Sequence, residues 1–224
     1  MNTPSELNLD VGWRITESAF RDICGRLRDI HSASMIEFGS GASTVRWALE
    51  FPDLQITSIE HDANFLAETR QHILSMQLGE RVKLLHCPLA GIWIAGRRYF
   101  TYQQPAFSGL ADCVLVDGPP GMTRRGREAC LYFAYDFLKV GGIAILDDVA
   151  RQDEQRIVKN WTSVYPGSFE VSFADVGNEL AILTKLKHSS RQKFSPTAFM
   201  DNYRVLLSQL RRSLAAKFTG TGNK

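Results

Sequence analysis

Three aspartates follow two apolar runs of this sequence, at the points where the runs end. Asp117 comes directly after the predicted strand Ala111–Val116, and Asp147 and Asp148 come directly after Ile143–Leu146. Carboxylates that meet at strand ends repel one another unless a cation compensates their charge. Oxygen ligands suit Mg²⁺, which keeps waters and leaves positions open for the oxygens of a substrate. The pattern predicts a divalent-metal site with Asp117 and Asp147 as catalytic residues, and purely structural roles are the alternative.

A glycine-containing turn links the first predicted strand to a helix in the run MIEFGSGAST, Met35–Thr44. Gly39 and Gly41 lack a Cβ atom, so backbone N–H groups can approach a ligand at the positive end of the helix dipole. Glu60 ends the next predicted strand, at about the 20-residue offset expected of an acid that binds ribose hydroxyls. These residues predict a site for an adenosyl ligand. The alternatives are glycines that serve packing alone and a Glu60 that caps the following helix.

Two ligand classes, the dinucleotides and S-adenosylmethionine, use a glycine turn together with an acidic residue. Thr44 stands where the dinucleotide pattern has its third glycine, and this removes the close helix–strand approach beneath a pyrophosphate. Glu37 adds negative charge that would repel a diphosphate and attract the ammonium group of a methionine. The turn therefore favours S-adenosylmethionine, and an NAD-binding oxidoreductase is the less favoured alternative.

Short apolar runs that alternate with helical stretches must position these residues. Strands that alternate with crossover helices predict a parallel sheet with helices on both faces. The run Ser168–Lys185 divides at Gly177 and Asn178, which predicts an antiparallel hairpin that closes the sheet edge. The predicted strands are Ser34–Phe38, Leu54–Ile59, Arg81–Cys87, Ala111–Val116 and Ile143–Leu146. The predicted helices are one behind a Thr16 cap, then Ser43–Phe51, Ala63–Gln77, Arg127–Val140 and Glu154–Tyr165.

Composition and charge restrict the class of protein. The chain has 224 residues, 44% of them hydrophobic, and 26 basic against 24 acidic residues give a net charge of +2. This balance argues against nucleic acid or a membrane surface as the main partner. No run approaches the roughly 18 apolar residues of a membrane span, and the N-terminal stretch lacks the pattern of a signal peptide. Scattered cysteines without a C-x-x-C pair suit a reducing compartment, so we expect a cytoplasmic protein.

The chain divides into three predicted parts. Residues 1–30 form an N-terminal helical flank, residues 31–186 form the core, and residues 187–224 form a C-terminal basic amphipathic helix and tail. The last part has an apolar face that includes Phe199 and Leu206, and a face that carries Arg204 and Arg211. Packing on its own domain is the expected role of such a helix, and the alternatives are contact with anionic groups or a homodimer interface.

From Met35 to Val149 the chain resembles the class I S-adenosylmethionine-dependent methyltransferases. The resemblance depends on the motifs IEFGSGAST, LLHCPLAG, ADCVLVDGPPG and LKVGGIAILDD together with Glu60. It implies an α/β fold with a doubly wound, Rossmann-like, seven-stranded, mostly parallel sheet whose terminal strand is antiparallel. It also implies a cofactor over the C-terminal ends of the first strands, with His86 beside the adenine. The implied cofactor-binding residues are Glu37, Gly39, Ser40, Gly41, Ser43, Thr44, Glu60, His61, His86, Cys87, Pro88 and Asp117.

The aspartates at the strand ends resemble those of metal-dependent O-methyltransferases of the catechol and macrolide-sugar types. This resemblance implies that Asp117, Asp147 and Asp148 hold magnesium, and that a metal-held hydroxyl of a small-molecule acceptor attacks the sulfonium methyl group. The catechol enzymes carry a lysine base after the fourth strand, where this chain has the run DGPPG, Asp117–Gly121. The resemblance therefore assigns no general base.

The DGPPG run also bears on the acceptor. It is similar to a run in plant glucuronic-acid O-methyltransferases, which implies a sugar, a sugar acid or a polyol as the acceptor. Gly118 separates Asp117 from Pro119, unlike the Asp-Pro-Pro motif of the enzymes that methylate nucleic-acid bases. We therefore expect no nucleic-acid substrate. A cofactor-binding subunit or sensor without activity is the alternative function.

The segment Gly91–Leu110 is rich in aromatic residues and lies between the third and fourth predicted strands. These side chains would either stack on a ring of the substrate or cover the sheet. Four arginines would either meet an acidic substrate or contact only solvent. They are Arg97, Arg98, Arg124 and Arg125.

Overall fold

The computed structural model describes residues 15–177 and 179–192. Its main feature is a seven-stranded sheet with the spatial order β3-β2-β1-β6-β7-β9-β8. The seven strands of this sheet and a separate antiparallel pair, β4 and β5, are numbered in chain order. They are β1 (Ser34–Phe38), β2 (Gln55–Glu60), β3 (Val82–His86), β4 (Leu89–Ile94), β5 (Arg97–Tyr102), β6 (Ala111–Val116), β7 (Leu138–Leu146), β8 (Phe169–Ala174) and β9 (Leu180–Lys185).

Five α-helices connect the strands within the described residues. They are α1 (Glu17–Asp29), α2 (Ala42–Glu50), α3 (Ala63–Ser75), α4 (Gly126–Ala134) and α5 (Gln152–Val164). The predicted Thr16 cap is confirmed, because its Oγ1 accepts a hydrogen bond of 3.2 Å from the backbone N–H of Ala19. A short 3-10 helix, Gly121–Thr123, lies between β6 and α4.

The pairing of the strands confirms the predicted fold class. The strands β3, β2, β1, β6 and β7 run parallel, and β9 pairs antiparallel with both β7 and β8. The strand order reverses between β1 and β6, since the chain builds β2 and β3 on one side of β1 and the later strands on the other. Ligands of open α/β sheets bind outside the carboxyl ends of the strands at such a switch point. The turns after β1 and β6 therefore border the expected site.

A hydrophobic core covers each face of the sheet because side chains of successive strand residues point to opposite faces. Ile36 and Phe38 pack with residues of α4 and α5, whereas Met35 packs with residues of α1 and α2. On the second face the Phe20 and Trp47 rings stack with centroids 4.2 Å apart. Both faces of the central strands are thus buried, as expected of a parallel sheet between helices.

The structure corrects two boundaries from the sequence analysis. The helix predicted at Arg127–Val140 ends at Ala134, and β7 begins at Leu138 instead of Ile143. Within the aromatic segment Gly91–Leu110, residues 91–102 belong to the β4–β5 hairpin, which the sequence analysis did not predict. The predicted hairpin that closes the sheet is confirmed as β8 and β9.

Some predictions fall on residues that the structure leaves undescribed. The predicted C-terminal basic amphipathic helix falls almost entirely on residues 193–224, outside the described part, and Asn178 is outside it as well. The division into residues 1–30, 31–186 and 187–224 stays a prediction. Within the described part, no helix combines the length and the apolar character that a bilayer crossing requires. All four cysteines are buried free thiols.

Candidate functional site

A cavity of about 500 Å³ lies at the switch point of the sheet. The turns that follow β1, β2, β6 and β7 form its walls. The sequence analysis placed site residues at these four strand ends and also at the end of β3, which does not line the cavity. Of the predicted cofactor residues, seven line this cavity. They are Gly39, Ser40, Gly41, Ser43, Glu60, His61 and Asp117.

The turn after β1 requires glycine at its first position. Gly39 has φ +103°, and a Cβ atom on it would lie 3.1 Å from the backbone nitrogen of Gly118. The backbone N–H groups of Asp117 and Gly118 both donate to the carbonyl oxygen of Phe38, at 3.0 and 2.6 Å. The turns after β1 and β6 therefore touch directly, and a side chain at residue 39 would separate them.

Glu37 lies behind this turn and does not line the cavity. Its side chain is fully buried, and its two carboxylate oxygens accept hydrogen bonds from the side chains of four residues. The donors are Ser43 (2.9 Å), Thr44 (2.5 Å), Trp47 (3.0 Å) and Ser58 (2.7 Å). Burial raises the pKa of Glu37, and the four donors act against that rise. This carboxylate ties β1, β2 and α2 together, whereas the sequence analysis had placed it opposite a methionine ammonium group.

Glu60 faces the cavity from the end of β2. Its Oε1 accepts hydrogen bonds from the backbone N–H groups of His61 (2.7 Å) and Asp62 (2.8 Å), and its side chain is nearly buried. Oε1 also lies 2.6 Å from Nδ1 of His61. These contacts fix the carboxyl group and leave Oε2 for a ligand, as a ribose contact would require.

Two hydroxyl groups of the cavity wall are buried without a hydrogen-bond partner among the described residues. They belong to Ser40, in the glycine turn, and Tyr102, at the end of β5. A buried hydroxyl without a partner is unfavourable by about 1–3 kcal/mol, so such groups call for a ligand or an ordered water. A Cβ atom on Gly118 would lie 2.1 Å from the Tyr102 oxygen, so only glycine leaves room for this hydroxyl. The donors and the space at this turn fit a polar adenosyl ligand.

The other predicted cofactor residues lie outside the lining of the cavity. Thr44 is buried beneath the turn, where its Oγ1 accepts a hydrogen bond of 3.0 Å from the backbone N–H of Gly41. His86 is exposed, with Nε2 at 3.1 Å from the carbonyl oxygen of His61, and Cys87 is buried. Neither these residues nor Pro88 line the cavity, so their contact with an adenine stays a prediction.

The three aspartates meet on the opposite wall. One carboxylate oxygen from each of Asp117, Asp147 and Asp148 lies within 4.8 Å of the others. Burial raises the pKa of Asp147 to about 7, and the neighbouring charges of Asp117 and Asp148 add to the rise. Burial also raises the pKa of Asp117 to about 6, although the Arg127 guanidinium acts against it. The sequence analysis predicted that these carboxylates meet at the strand ends and repel one another.

Two arginines that the sequence analysis did not name compensate the cluster. The buried Arg127, on α4, donates from Nη1 to Oδ2 of Asp148 (3.0 Å) and places Nη2 at 3.5 Å from Oδ1 of Asp117. Arg151 is about half exposed and lies 2.7 Å from Oδ2 of Asp148. The sequence did contain a signal for Arg127, because this residue begins a largely apolar helical run. A charged residue on a buried helix face is unusual unless it is paired.

The donor set of the cluster fits a hard divalent cation. The three converging ligand atoms are all carboxylate oxygens, which a hard cation prefers. The pKa values of Asp117 and Asp147 are raised, and a cation bound between these carboxylates would lower both. Asp148 already contacts two arginines and has φ +65°, a strained conformation for a residue with a side chain. Asp117 and Asp147 are thus the better placed ligands, with Asp148 as a third.

The four arginines that were considered for an acidic substrate lie in different environments. Arg97 is buried and donates to Oε1 of Glu128 at 3.1 Å, and Arg125 is buried as well. Arg98 is exposed on β5 and lines neither this cavity nor a second one that adjoins it. Arg124 remains, at the edge of a second cavity. Of the aromatic residues in Gly91–Leu110, Tyr102 alone lines the first cavity.

Comparison with known proteins identifies the fold. No protein-family model matches the chain, and no curated protein is similar to it in sequence. Solved structures do match. An O-methyltransferase from Bacillus cereus in complex with S-adenosylhomocysteine has a TM-score of 0.61 at 12% identity, over 81% of this chain and 92% of that one.

Two further structures show how widely this fold is used. The O-methyltransferase TomG from Streptomyces achromogenes, in complex with S-adenosylmethionine, has a TM-score of 0.58 at 12% identity, over 78% of this chain and 82% of that one. A candidate rRNA methylase from Clostridium thermocellum has a TM-score of 0.55 at 14% identity, over 79% of this chain and all of that one. The chain therefore has the Rossmann-like fold of these methyltransferases, and the fold alone does not decide the acceptor.

Proposed function

We propose that this chain is an S-adenosylmethionine-dependent methyltransferase that methylates a hydroxyl group of a small molecule with the help of a divalent metal ion. The acceptor class is a sugar, a sugar acid, or a polyol or catechol-like compound. One observation carries the proposal. A single cavity has the glycine turn and Glu60 on one wall and three convergent carboxylates on the other.

The first wall suits the cofactor. The unpaired hydroxyl of Ser40, in the Gly39–Gly41 turn, is a donor for a polar ligand, and Oε2 of Glu60 is an acceptor for ribose hydroxyls. The backbone N–H groups of Gly39 and Gly41 hold the turn itself, because they donate to the carbonyl oxygen of Ile59 and to Oγ1 of Thr44. The nearby carboxylates favour a cationic sulfonium over a diphosphate. When bound, S-adenosylmethionine supplies an electrophilic methyl group. Similar folds that hold S-adenosylmethionine or S-adenosylhomocysteine support this assignment.

The second wall suits the activation of a hydroxyl group. In the proposed reaction the acceptor oxygen forms a bond to the methyl carbon while the carbon–sulfur bond breaks, and the hydroxyl proton leaves to a base. Asp147 is not assigned this role, because a cation bound to its carboxylate would lower its pKa of about 7. Asp117, Asp147 and Asp148 would hold Mg²⁺, which supplies Lewis-acid stabilisation of the alkoxide charge when bound.

Binding measurements test the cofactor assignment. We expect S-adenosylhomocysteine, in isothermal titration calorimetry, to bind to the protein and NAD not to bind. Glu60→Gln removes the charge while its Oε1 can still accept the backbone hydrogen bonds, so affinity should fall by about tenfold or more, the loss of one charge-assisted hydrogen bond. Glu68→Gln, on the exposed face of α3, is the matched control and should bind as the wild type does. Binding of NAD in preference to S-adenosylhomocysteine would contradict the proposal.

Transfer of labelled methyl groups to catechols and sugars then tests the reaction. Product formation should require Mg²⁺ and stop in EDTA, and activity that survives EDTA would remove the metal from the proposal. Binding of S-adenosylhomocysteine without transfer to any acceptor would favour the sensor or subunit alternative. Cytoplasmic location and dimerisation through the C-terminal helix stay predictions from the sequence.

A further inference from the structure

A second cavity, of about 620 Å³, adjoins the first. The two share Pro120, Gly121, Met122 and Arg151, so the second continues outward from the aspartate cluster along the 3-10 helix and the start of α5. Most of the polar contacts for an adenosyl ligand lie on the far wall of the first cavity. The second cavity is therefore the part of the site that remains for the bulk of the acceptor.

The second cavity has one more positive than negative side chain. Arg124, Arg151 and Arg156 line it together with Asp153 and Glu154. The two acids have arginine partners within the cavity wall, at distances of 3.7 Å from Asp153 to Arg156 and 3.9 Å from Glu154 to Arg151.

Arg124 has no such partner. Within residues 15–177 and 179–192, no carboxylate or carbonyl oxygen holds its guanidinium, and its side chain is neither buried nor fully exposed. The backbone at this residue has φ +55° and ψ −104°, a conformation that L side chains rarely adopt. Strained residues of this kind concentrate at binding sites, where the surrounding structure maintains them. Arg124 is thus a strained residue that contributes a cation without a carboxylate partner among the described residues to the wall of the second cavity.

We propose that the methyl acceptor is an anion whose carboxylate or phosphate group pairs with Arg124 in the second cavity, while its reacting hydroxyl lies at the aspartate cluster. The proposal rests on the methyltransferase function proposed above and adds the charge class of the acceptor. Guanidinium binds planar and tetrahedral oxyanions through paired N–H groups, so one site suits both groups. Arg124 lines only the second cavity, whereas the three carboxylates line only the first.

The test compares three probes that share vicinal hydroxyl groups and differ in charge. They are 3,4-dihydroxybenzoate, the corresponding phosphonate and the neutral methyl ester of the benzoate. Calorimetry measures their binding to the full chain saturated with S-adenosylhomocysteine and Mg²⁺. We expect at least one of the two anions to bind about tenfold more tightly than the ester, and the stronger of the two identifies the oxyanion type. Equal binding of all three probes by the wild type would overturn the proposal.

Variants assign the preference to Arg124. Arg124→Gln should bring the anions and the ester to about equal affinity, and Arg124→Gly should do the same while it relieves the backbone strain, so a folding defect cannot explain both results. Arg98→Gln, at an exposed arginine outside both cavities, should keep the preference. An anion preference that survives Arg124→Gln would overturn the proposal. Preferential binding of an anion without any methylated product would contradict the methyltransferase function and not the anion site.

Discussion

At the scale of single residues, the site depends on groups whose environment changes their chemistry. The residue Asp147 is 3% exposed, and its carboxyl group lies beside two other carboxylates. It therefore keeps a proton at a pH where an exposed aspartate is ionised. A metal ion and this proton compete for the same oxygen atoms, which links stability, pH and metal binding.

We predict that the unfolding free energy of the metal-free protein falls as pH rises from about 4 to 7. The folded pKa of Asp147, about 7, lies above its ordinary value of 3.8. A raised pKa gives stability that is fully present below the ordinary value and is lost as pH rises through the folded value. Each unit corresponds to about 1.4 kcal/mol. Asp147→Asn should flatten this slope in denaturant titrations with EDTA.

Magnesium provides the complementary measurement. Mg²⁺ should raise the melting temperature more at pH 8 than at pH 5.5 in the wild type, because fewer protons compete with it. Asp147→Asn should lose most of this difference. An equal effect of Mg²⁺ at both pH values would contradict a metal site at this cluster.

At the scale of elements, α4 connects the two turns that carry the aspartates. Arg127 donates from Nε to the carbonyl oxygen of Pro119 (3.2 Å) and from Nη1 to that of Asp147 (3.2 Å), besides its carboxylate contacts. One buried side chain thus fixes the turn after β6 to the turn after β7. The positions of the carboxylates follow from the packing of a helix and not only from the strands that precede them.

We predict that Arg127→Met lowers the unfolding free energy by about 3–5 kcal/mol, because it leaves buried carboxylates without their cation. Mg²⁺ should restore more stability to this variant than to the wild type. Arg151→Met is the control, since Arg151 contacts the same cluster from a half-exposed position and should contribute about 1 kcal/mol or less. Equal losses in the two variants, measured by urea unfolding, would contradict the role of Arg127.

The β4–β5 hairpin shows why one element escaped the sequence analysis. A two-residue turn, Ala95 and Gly96, joins its strands, and both residues have positive φ. Such turns usually have Asn or Asp at the first position, so Ala95 hid the signal. The hairpin brings Tyr102 to the wall of the cavity, where its buried hydroxyl has no described partner.

At the scale of the whole molecule, the cavity joins elements from both halves of the sheet. The turns after β1 and β2 come from one half, and those after β6 and β7 come from the other. A ligand that bridges the two walls binds the folded protein and not the unfolded chain. Such a ligand should stabilise the molecule as a unit.

We predict that S-adenosylhomocysteine at a hundred times its dissociation constant adds about 2.7 kcal/mol of stability. For a chain of this size the melting temperature should rise by roughly 5–10 °C. Differential scanning calorimetry measures this shift, and NAD at equal concentration is the control. If S-adenosylhomocysteine saturates its site in binding calorimetry and leaves the melting temperature unchanged, the prediction is contradicted. The ligand would then bind a part of the chain that does not unfold together with the core.

The sequence by itself determined the alternation of strands and helices, the glycine turn, Glu60 and the three strand-end aspartates. Local spacing carries these features, because side-chain periodicity and turn chemistry act over a few residues. Tertiary structure alone decided that Glu37 lies behind the turn and that Arg127 compensates the aspartates. It also decided that Arg124 lines a cavity, whereas Arg97 and Arg125 are buried. The burial and pairing of a charged side chain depend on residues that lie far apart in the sequence. These residues come together only when the helices pack on the sheet, so local spacing cannot predict them.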